Sequence, residues 1–235
     1  MAINKTLCLD GELYHYIIDV LRLKKNDKLI LFNNSKKIFP ATIKQVSPSD
    51  LHIEVNEEID SQNESCIKTT LLQGIPKSDK LEWIIQKTTE LGISQIVPVI
   101  SSHSIKKISE TKLPRLDKIA AEASKQSKRS FVPFIEKPVT LLEYTEKHAC
   151  RDDNSLKLLL SQDGKSNLKN LIKTANLKNI VFAVGPEGDF SNEEKSLFEK
   201  KGFQKVTLGG RILRCETAAI IMTGILQYET DNLQF

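Results

Sequence analysis

Two short loops hold most of the residues whose types and spacing could do chemistry. The first, "VGPEGDFSNEEKSLFEK" from Val184 to Lys200, sets Gly185, Pro186, Glu187 and Gly188 directly after the apolar run "NIVFAV". The second, "LGGRILRCET" from Leu208 to Thr217, also follows a strand-like run and carries paired glycines. It adds Arg211, Arg214 and Glu216 ahead of the apolar segment "TAAIIMTGIL". Glycines allow a positive φ and let a ligand approach the backbone closely, and Pro186 stiffens the turn between the first pair. Only six arginines stand against 28 lysines, so two in one loop stand out, because a guanidinium makes bidentate contacts to carboxylate or phosphate. Ser191, with Glu194 three residues on, forms a capping box. That box fills the start of the following helix with its own side chains and argues against a phosphate resting there. A tight strand-to-helix connection would use the first glycines equally well, and the apolar last helix suits a core as much as a subunit contact.

The elements that must position these loops follow from periodicity. "NIVFAV" is apolar throughout, as expected of a strand covered on both faces, so the loop after it lies where open α/β sheets bind ligands. From residue 67 to 235, apolar runs such as "CIKTTLLQG", "ISQIVPVI" and "SLKLLLSQ" alternate with helix-period segments. In "DKLEWIIQKTTELG" the residues Leu81, Ile84, Ile85, Thr88 and Leu91 share one helical face, and Gly92 is the stop. "LPRLDKIAAEASKQSKR" reads as a helix with Pro114 near its first turn. The expectation is an α/β layered domain with a mostly parallel sheet. Residues 1–66 read differently. Three short strands, "DKLILFNN", "KIFPATIKQV" and "LHIEVNEEI", predict a small barrel or meander. Before them, "LYHYIIDVLRL" predicts a helix with Leu13, Ile17, Val20 and Leu21 on one face, and Asp60 to Cys66 is the expected linker.

Composition excludes several classes. Apolar residues at 40% and charged residues at 27% describe a chain that buries a core rather than a disordered one. A net charge of +4 permits a polyanionic partner without requiring one. The cysteines Cys8, Cys66, Cys150 and Cys215 form no C-x-x-C pair and have no histidine at ligand spacing, so a reduced cytoplasmic protein without metal is expected. The N-terminus lacks a targeting pattern, and the longest apolar stretch falls far short of a membrane span. "DGKS" at Asp163 to Ser166 lacks the earlier glycine of a phosphate loop, since Leu159 stands there. No G-x-S-x-G, H-E-x-x-H or early G-x-G-x-x-G is present, which sets aside serine hydrolase, zincin and dinucleotide-binding readings. His15, His52, His103 and His148 are isolated.

Four ordered segments carry a resemblance. "GPEGDFSNEE" is similar to GPEGG-x-S-x-x-E, and "LGGRILRCETAA" to LG-x-R-I-L-R-x-E-T-A. "KLEWIIQKTTELGISQIVP" resembles a K-x-(ED)-W-(IL)-(IV)-Q-K-x-T-E-L-G region, and "KIAAEASKQSKR" resembles I-x-x-E-A-x-x-Q-x-x-R. These are patterns of the bacterial 16S rRNA uracil-N3-methyltransferases, the ribosomal RNA small subunit methyltransferase E family of the SPOUT superfamily. "HYIIDVLRLKKNDKLILFNN" looks like that family's PUA-like RNA-binding domain. The chain departs from the pattern at Asp189, where a second glycine is usual, and at His103, where an arginine is common.

The resemblance implies a knotted α/β domain over 67–235 that binds S-adenosylmethionine, a PUA-like domain over 1–66, and a homodimer acting on 16S rRNA of the small ribosomal subunit. It implies cofactor contacts from Leu160, Val184, Gly185, Pro186, Glu187 and Gly188, and from Leu208, Gly209, Arg211, Ile212, Leu213 and Thr217. Uracil N3 reacts as its anion, so the site must stabilise negative charge or remove a proton. Arg214 is the candidate for the uracil oxygens, and Glu216 or Glu187 for proton removal or orientation. A salt bridge between Arg214 and Glu216, with Glu216 on a helix dipole, is the structural alternative. Arg22, Lys24, Lys25 and Arg129 are candidate RNA contacts. Other readings are a SPOUT enzyme for another RNA base and a non-catalytic ribosome-binding factor.

Overall fold

The computed structural model describes residues 5–77, 79–104, 110–147, 155–174 and 178–230. His148, Cys150 and Arg151 lie outside the described residues. The chain divides into two compact units, Met1–Glu64 and Ser65–Phe235. No helix among the described residues is long and apolar enough to cross a membrane.

The N-terminal unit is an antiparallel sheet. It comprises β1 (Thr6–Asp10), β2 (Lys28–Phe32), β3 (Lys37–Val46), β4 (Asp50–Val55) and β5 (Ile59–Asp60), with order β1-β4-β3-β2 and β5 against β3. Side chains alternate across a strand, so Ala41, Ile43, Leu51 and Ile53 fall on one face and form the core with Tyr14 and Ile17. β1 had no counterpart in the sequence reading, because this edge strand buries none of its side chains fully. The expected 13–23 helix is also corrected. A single turn, α1 (Gly11–His15), runs into a π-helical segment, Tyr16–Val20. The wider π turn breaks the 3.6-residue face, so Ile17 and Tyr14 are buried while Leu13, Val20 and Leu21 are exposed. Register adds a proximity that spacing along the chain concealed. Cys8 pairs with His52, and Asp50 stands beside them with all donor atoms within 4.8 Å of one another.

The C-terminal unit carries a parallel sheet in the order β12-β10-β11-β6-β7-β8, with β9 also on β7. Its strands are β6 (Lys68–Gly74), β7 (Gln95–Ile100), β8 (Phe134–Ile135), β9 (Val139–Thr140), β10 (Leu156–Leu160), β11 (Asn179–Val184) and β12 (Gln204–Val206). The helices are α2 (Lys80–Glu90), α3 (Leu113–Gln126), α4 (Leu141–Lys147), α5 (Leu168–Thr174), α6 (Asn192–Lys200) and α7 (Cys215–Glu229). Neighbouring strand residues serve opposite cores. Leu71, Leu158, Leu160, Phe182 and Val184 pack with Ile84, Ile85, Met222 and Leu226 on the face of α2 and α7. Leu72, Leu159 and Ala183 pack with Tyr144, Phe190, Phe198 and Phe203 on the face of α4 and α6. Double coverage explains why these strands read as continuous apolar runs. Each fully buried large side chain contributes about 1.5–3 kcal/mol.

Local signals place the ends of α2 and α6. Gly92, at φ +94°, donates its N–H to Thr89 O at 3.0 Å, and Ile93 N–H reaches Thr88 O at 3.0 Å, which ends α2. Ser191 Oγ accepts from Glu194 N–H while Glu194 accepts from Ser191 N–H, completing the capping box of α6.

Arg129 is corrected as an RNA contact. It is only 4% exposed, and its Nη1 donates to the carbonyls of Thr89 and Ile93, each at 2.9 Å. The guanidinium therefore satisfies one acceptor in the last turn of α2 and one just beyond it, inside the unit. Arg129→Ala should lower the unfolding free energy by about 2–3 kcal/mol, since buried carbonyls lose their donor. Urea denaturation followed by circular dichroism checks this, and an unchanged midpoint would remove the role.

Candidate functional site

In a parallel sheet all strands end on one edge, so the carboxyl ends of β10, β11 and β12 lie together. They open onto a cavity of about 360 Å³. Strand β10 brings Leu160, Ser161 and Gln162; β11 brings Val184, Gly185, Pro186 and Glu187; and the segment after β12 brings Leu208, Gly209, Arg211, Ile212, Leu213 and Arg214. Its apolar lining includes Leu160, Val184 and Ala218. Ser161 N–H donates to Val206 O at 3.0 Å, holding the β10 loop against β12. Gly164 makes that approach possible, because a Cβ there would lie 2.4 Å from the Val206 carbonyl carbon. The "DGKS" glycine thus serves strand packing.

The glycines of the first loop do different work from that expected. Neither Gly185 nor Gly188 has a positive φ; that conformation falls on Asp189, at φ 59°. Aspartate tolerates the left-handed region. Its Oδ1 accepts from Phe190 N–H at 2.8 Å and its Oδ2 pairs with Lys195 at 2.6 Å, so the residue departing from the family pattern is accommodated. Gly185 packs on its own turn, 2.8 Å from Asp189 Oδ1 to a built Cβ. Gly188 is absent from the cavity wall; a Cβ there would meet His103 at 3.1 Å. His103 in turn hydrogen-bonds through Nδ1 to Asp189 O at 2.9 Å. A further close approach comes from Gly74 at the end of β6, where a Cβ would sit 2.5 Å from Pro186 Cδ.

Lys80, in the first turn of α2, joins the two loops. Its Nζ lies 3.0 Å from Glu187 Oε1 and 3.4 Å from Glu216 Oε2. Lys77 N–H donates to both Glu187 oxygens at 3.1 Å. Burial pushes the Glu187 carboxyl upward, but hydrogen bonds from Lys80 and Lys77 and the Lys80 charge outweigh it and hold the group below the usual range. For Glu216, burial is likewise outweighed by backbone and Cys215 hydrogen bonds and by Lys80. Both therefore stand as carboxylates at neutral pH. The Cys215 thiol donates to Glu216 Oε2 at 3.2 Å and is pushed up to about 12 by burial and then by the Glu216 contact, which leaves it protonated and unsuited to nucleophilic attack.

Arg214 occupies the N-cap position of α7 with its side chain uninvolved in capping. Its expected salt bridge to Glu216 is replaced by the Lys80 contact. The Arg211 and Arg214 guanidinium groups have no hydrogen-bond or ion-pair partner among the described residues, and both line the cavity. Glu216 and Thr217 lie outside its wall. The sequence reading missed Lys80, which faces the site from a helix assigned to core packing. The only signal was its place at the start of the helix after β6. Arg22, Lys24 and Lys25 are exposed on the turn leading into β2 and have no ion-pair partner among the described residues. The arrangement suits a nucleoside-sized ligand with an apolar face and hydrogen-bonding edges, beside two cations available to an anion.

Comparison with known proteins follows the two units. Residues 63–227 match the RNA methyltransferase domain family and residues 9–56 the RNA methyltransferase PUA domain family. The chain is 36% identical over 209 residues to Ribosomal RNA small subunit methyltransferase E of Rickettsia conorii, covering 88% of this chain and 82% of that protein. It is 34% identical to the protein of that name from Buchnera aphidicola subsp. Acyrthosiphon pisum, covering 97% and 89%. The crystal structure of a Ribosomal RNA small subunit methyltransferase E from Neisseria gonorrhoeae bound to S-adenosyl methionine superposes with a TM-score of 0.88 and 31% identity, covering 97% of this chain and 93% of that one.

The carboxylate tie sets a pH dependence. A carboxyl whose folded pKa lies below its unfolded value contributes stability above the unfolded value, near 4.3, and loses it as pH falls through the folded one. Glu187 and Glu216 are both lowered. The urea midpoint should therefore drop between about pH 5 and pH 3, and Glu187→Gln should show a smaller drop over that window. Parallel pH profiles for the two proteins would contradict the tie.

Proposed function

This chain belongs to the ribosomal RNA small subunit methyltransferase E family, and on that premise we propose that it methylates N3 of a uridine in bacterial 16S rRNA, using S-adenosylmethionine. The observation that carries the reading is the cavity at the ends of β10, β11 and β12, with apolar side chains, loop backbone and two guanidinium groups unpaired among the described residues in its lining. The residues fit the cofactor. An adenosine face would rest on Leu160, Val184 and Ala218, while backbone at Gly185 and Leu208 to Leu213 would meet its polar edges. Gly209, at φ +106° with nothing within 4 Å of a built Cβ, leaves open space there. Bound S-adenosylmethionine supplies an electrophilic methyl group on a sulfonium. Uracil N3, once deprotonated, would take that methyl group as the sulfur–methyl bond breaks.

The protein's part is alignment and charge. Arg214 stabilises the negative charge that develops on the uracil oxygens as the proton is lost. Lys80 and backbone hydrogen bonds lower the basicity of Glu187, and backbone and Cys215 hydrogen bonds with Lys80 lower that of Glu216, so their assigned role is orientation and loop placement, since an efficient general base has a pKa near the working pH. Arg22, Lys24 and Lys25 guide phosphates within the PUA-like unit, assigned to 1–66, and the catalytic unit spans 67–235. A target uridine must leave any stack to reach the cavity. Helix α7 exposes Ile221 and Tyr228, which supports a homodimer through this helix. A knotted path in the C-terminal unit rests on the family to which the chain belongs. The site of action is the cytoplasm, where small subunits are found.

The test is incubation with methyl-labelled S-adenosylmethionine and unmodified small subunits, followed by nucleoside mass spectrometry. Label should appear as 3-methyluridine in 16S rRNA, and label in another nucleoside, or none, would refute the assignment. Arg214→Ala should lower turnover roughly 100-fold or more, with cofactor affinity changed less than about threefold. Normal turnover in that variant would end the role of Arg214.

A further inference from the structure

Two of the four segments that carry the family resemblance, residues 80–98 and 118–129, meet the cavity only through Lys80. Glu82, Gln86, Lys87 and Glu90 of the first segment and Glu122 and Gln126 of the second line an open groove of about 620 Å³ between α2 and α3. Trp83, the only tryptophan of the chain, stands in it 52% exposed. The groove has the opposite sign from the chain as a whole. Four carboxylates, those of Asp79, Glu82, Glu90 and Glu122, line it against the single ammonium of Lys87, in a chain of net charge +4.

Its internal pairing is incomplete. Glu82 accepts from Arg115 at 2.8 Å and Glu90 pairs with Lys87 at 2.8 Å, whereas Asp79 and Glu122 have no ion-pair partner among the described residues. The Gln86 and Gln126 amides also line the groove, without a side-chain hydrogen bond among those residues. Lys87 Nζ lies 5.0 Å from the Trp83 ring centroid, so the indole already holds one cation in a cation–π contact. Much of the ring remains open to another.

We propose that the α2–α3 groove is a docking site for a lysine- and arginine-rich segment of a protein partner. Cationic side chains would pair with Asp79 and Glu122 and stack on Trp83, while the two glutamine amides would take the peptide backbone. The carboxylates exclude a nucleic acid from this face through phosphate repulsion. Trp83 follows Lys80 by three residues, about 4.5 Å along the helix, so the partner would sit one turn from the cavity.

Trp83 makes the inference directly testable, because intrinsic tryptophan emission from the full chain reports on the groove alone. Titration with octa-arginine peptide should give a saturable emission change that weakens with salt. The double variant Asp79→Asn, Glu122→Gln should bind roughly tenfold more weakly while keeping the wild-type urea midpoint. The proposal is overturned by the absence of a saturable change, by equal affinity of the double variant, or by octa-uridylate giving the same signal. It is also overturned if sedimentation shows that the emission change tracks self-association of this chain.

Discussion

The ammonium of Lys80 is the contact on which the arrangement of the site depends. Two loops of the same sheet edge each carry a carboxylate, and two like charges so close would repel unless a cation lay between them. Lys80 supplies that cation from α2, an element belonging to neither loop. Its position follows from the packing of α2 on α7 and on the sheet, so burial of Ile84, Ile85, Met222 and Leu226 in one core also places the charge. Preorganisation here is a product of apolar packing. The carboxylates are thereby held in place, while the guanidinium groups of Arg211 and Arg214 line the cavity with no partner among the described residues.

The loops keep their shape because backbone packs on backbone. Gly74 lies against Pro186, and Gly164 against Val206, at distances no side chain permits. These approaches bring the ends of neighbouring strands close enough to form one cavity. Asp189 takes the left-handed conformation that a glycine would otherwise provide, at the cost of fixing its carboxylate on Phe190 N–H and Lys195. On the opposite side of the loop, His103 and Ser102 close the turn, the latter by donating to Glu194. The capping box of α6 and the wall of the cavity are therefore parts of one hydrogen-bonded unit.

Helix α2 serves three surfaces at once. Its apolar face joins the core, its first residue reaches the cavity, and Trp83, Gln86 and Glu90 face α3 across the groove. A helix of 3.6 residues per turn can do this because successive residues rotate through about 100°. The arrangement places a residue of the cavity wall, Lys80, and a residue of the groove, Trp83, on one helix.

Features that depend on near neighbours in the chain were legible in the sequence. The alternation of apolar runs with helical periods, the Gly92 stop, the Ser191 and Glu194 cap, and the two glycine loops at strand ends each follow from spacing of a few residues. The sequence by itself determined that the C-terminal unit is a layered α/β fold with its loops at one edge. Tertiary structure alone decided which charges meet. Lys80 and Glu216 are separated by most of the C-terminal unit, Arg129 turns inward to the end of α2, Gly188 faces His103 rather than the cavity, and Cys8 meets His52 across two strands. The reason is physical. Periodicity states which face of an element is apolar, whereas the partner of a polar side chain depends on strand order and on how elements lie against one another, and neither leaves a local trace.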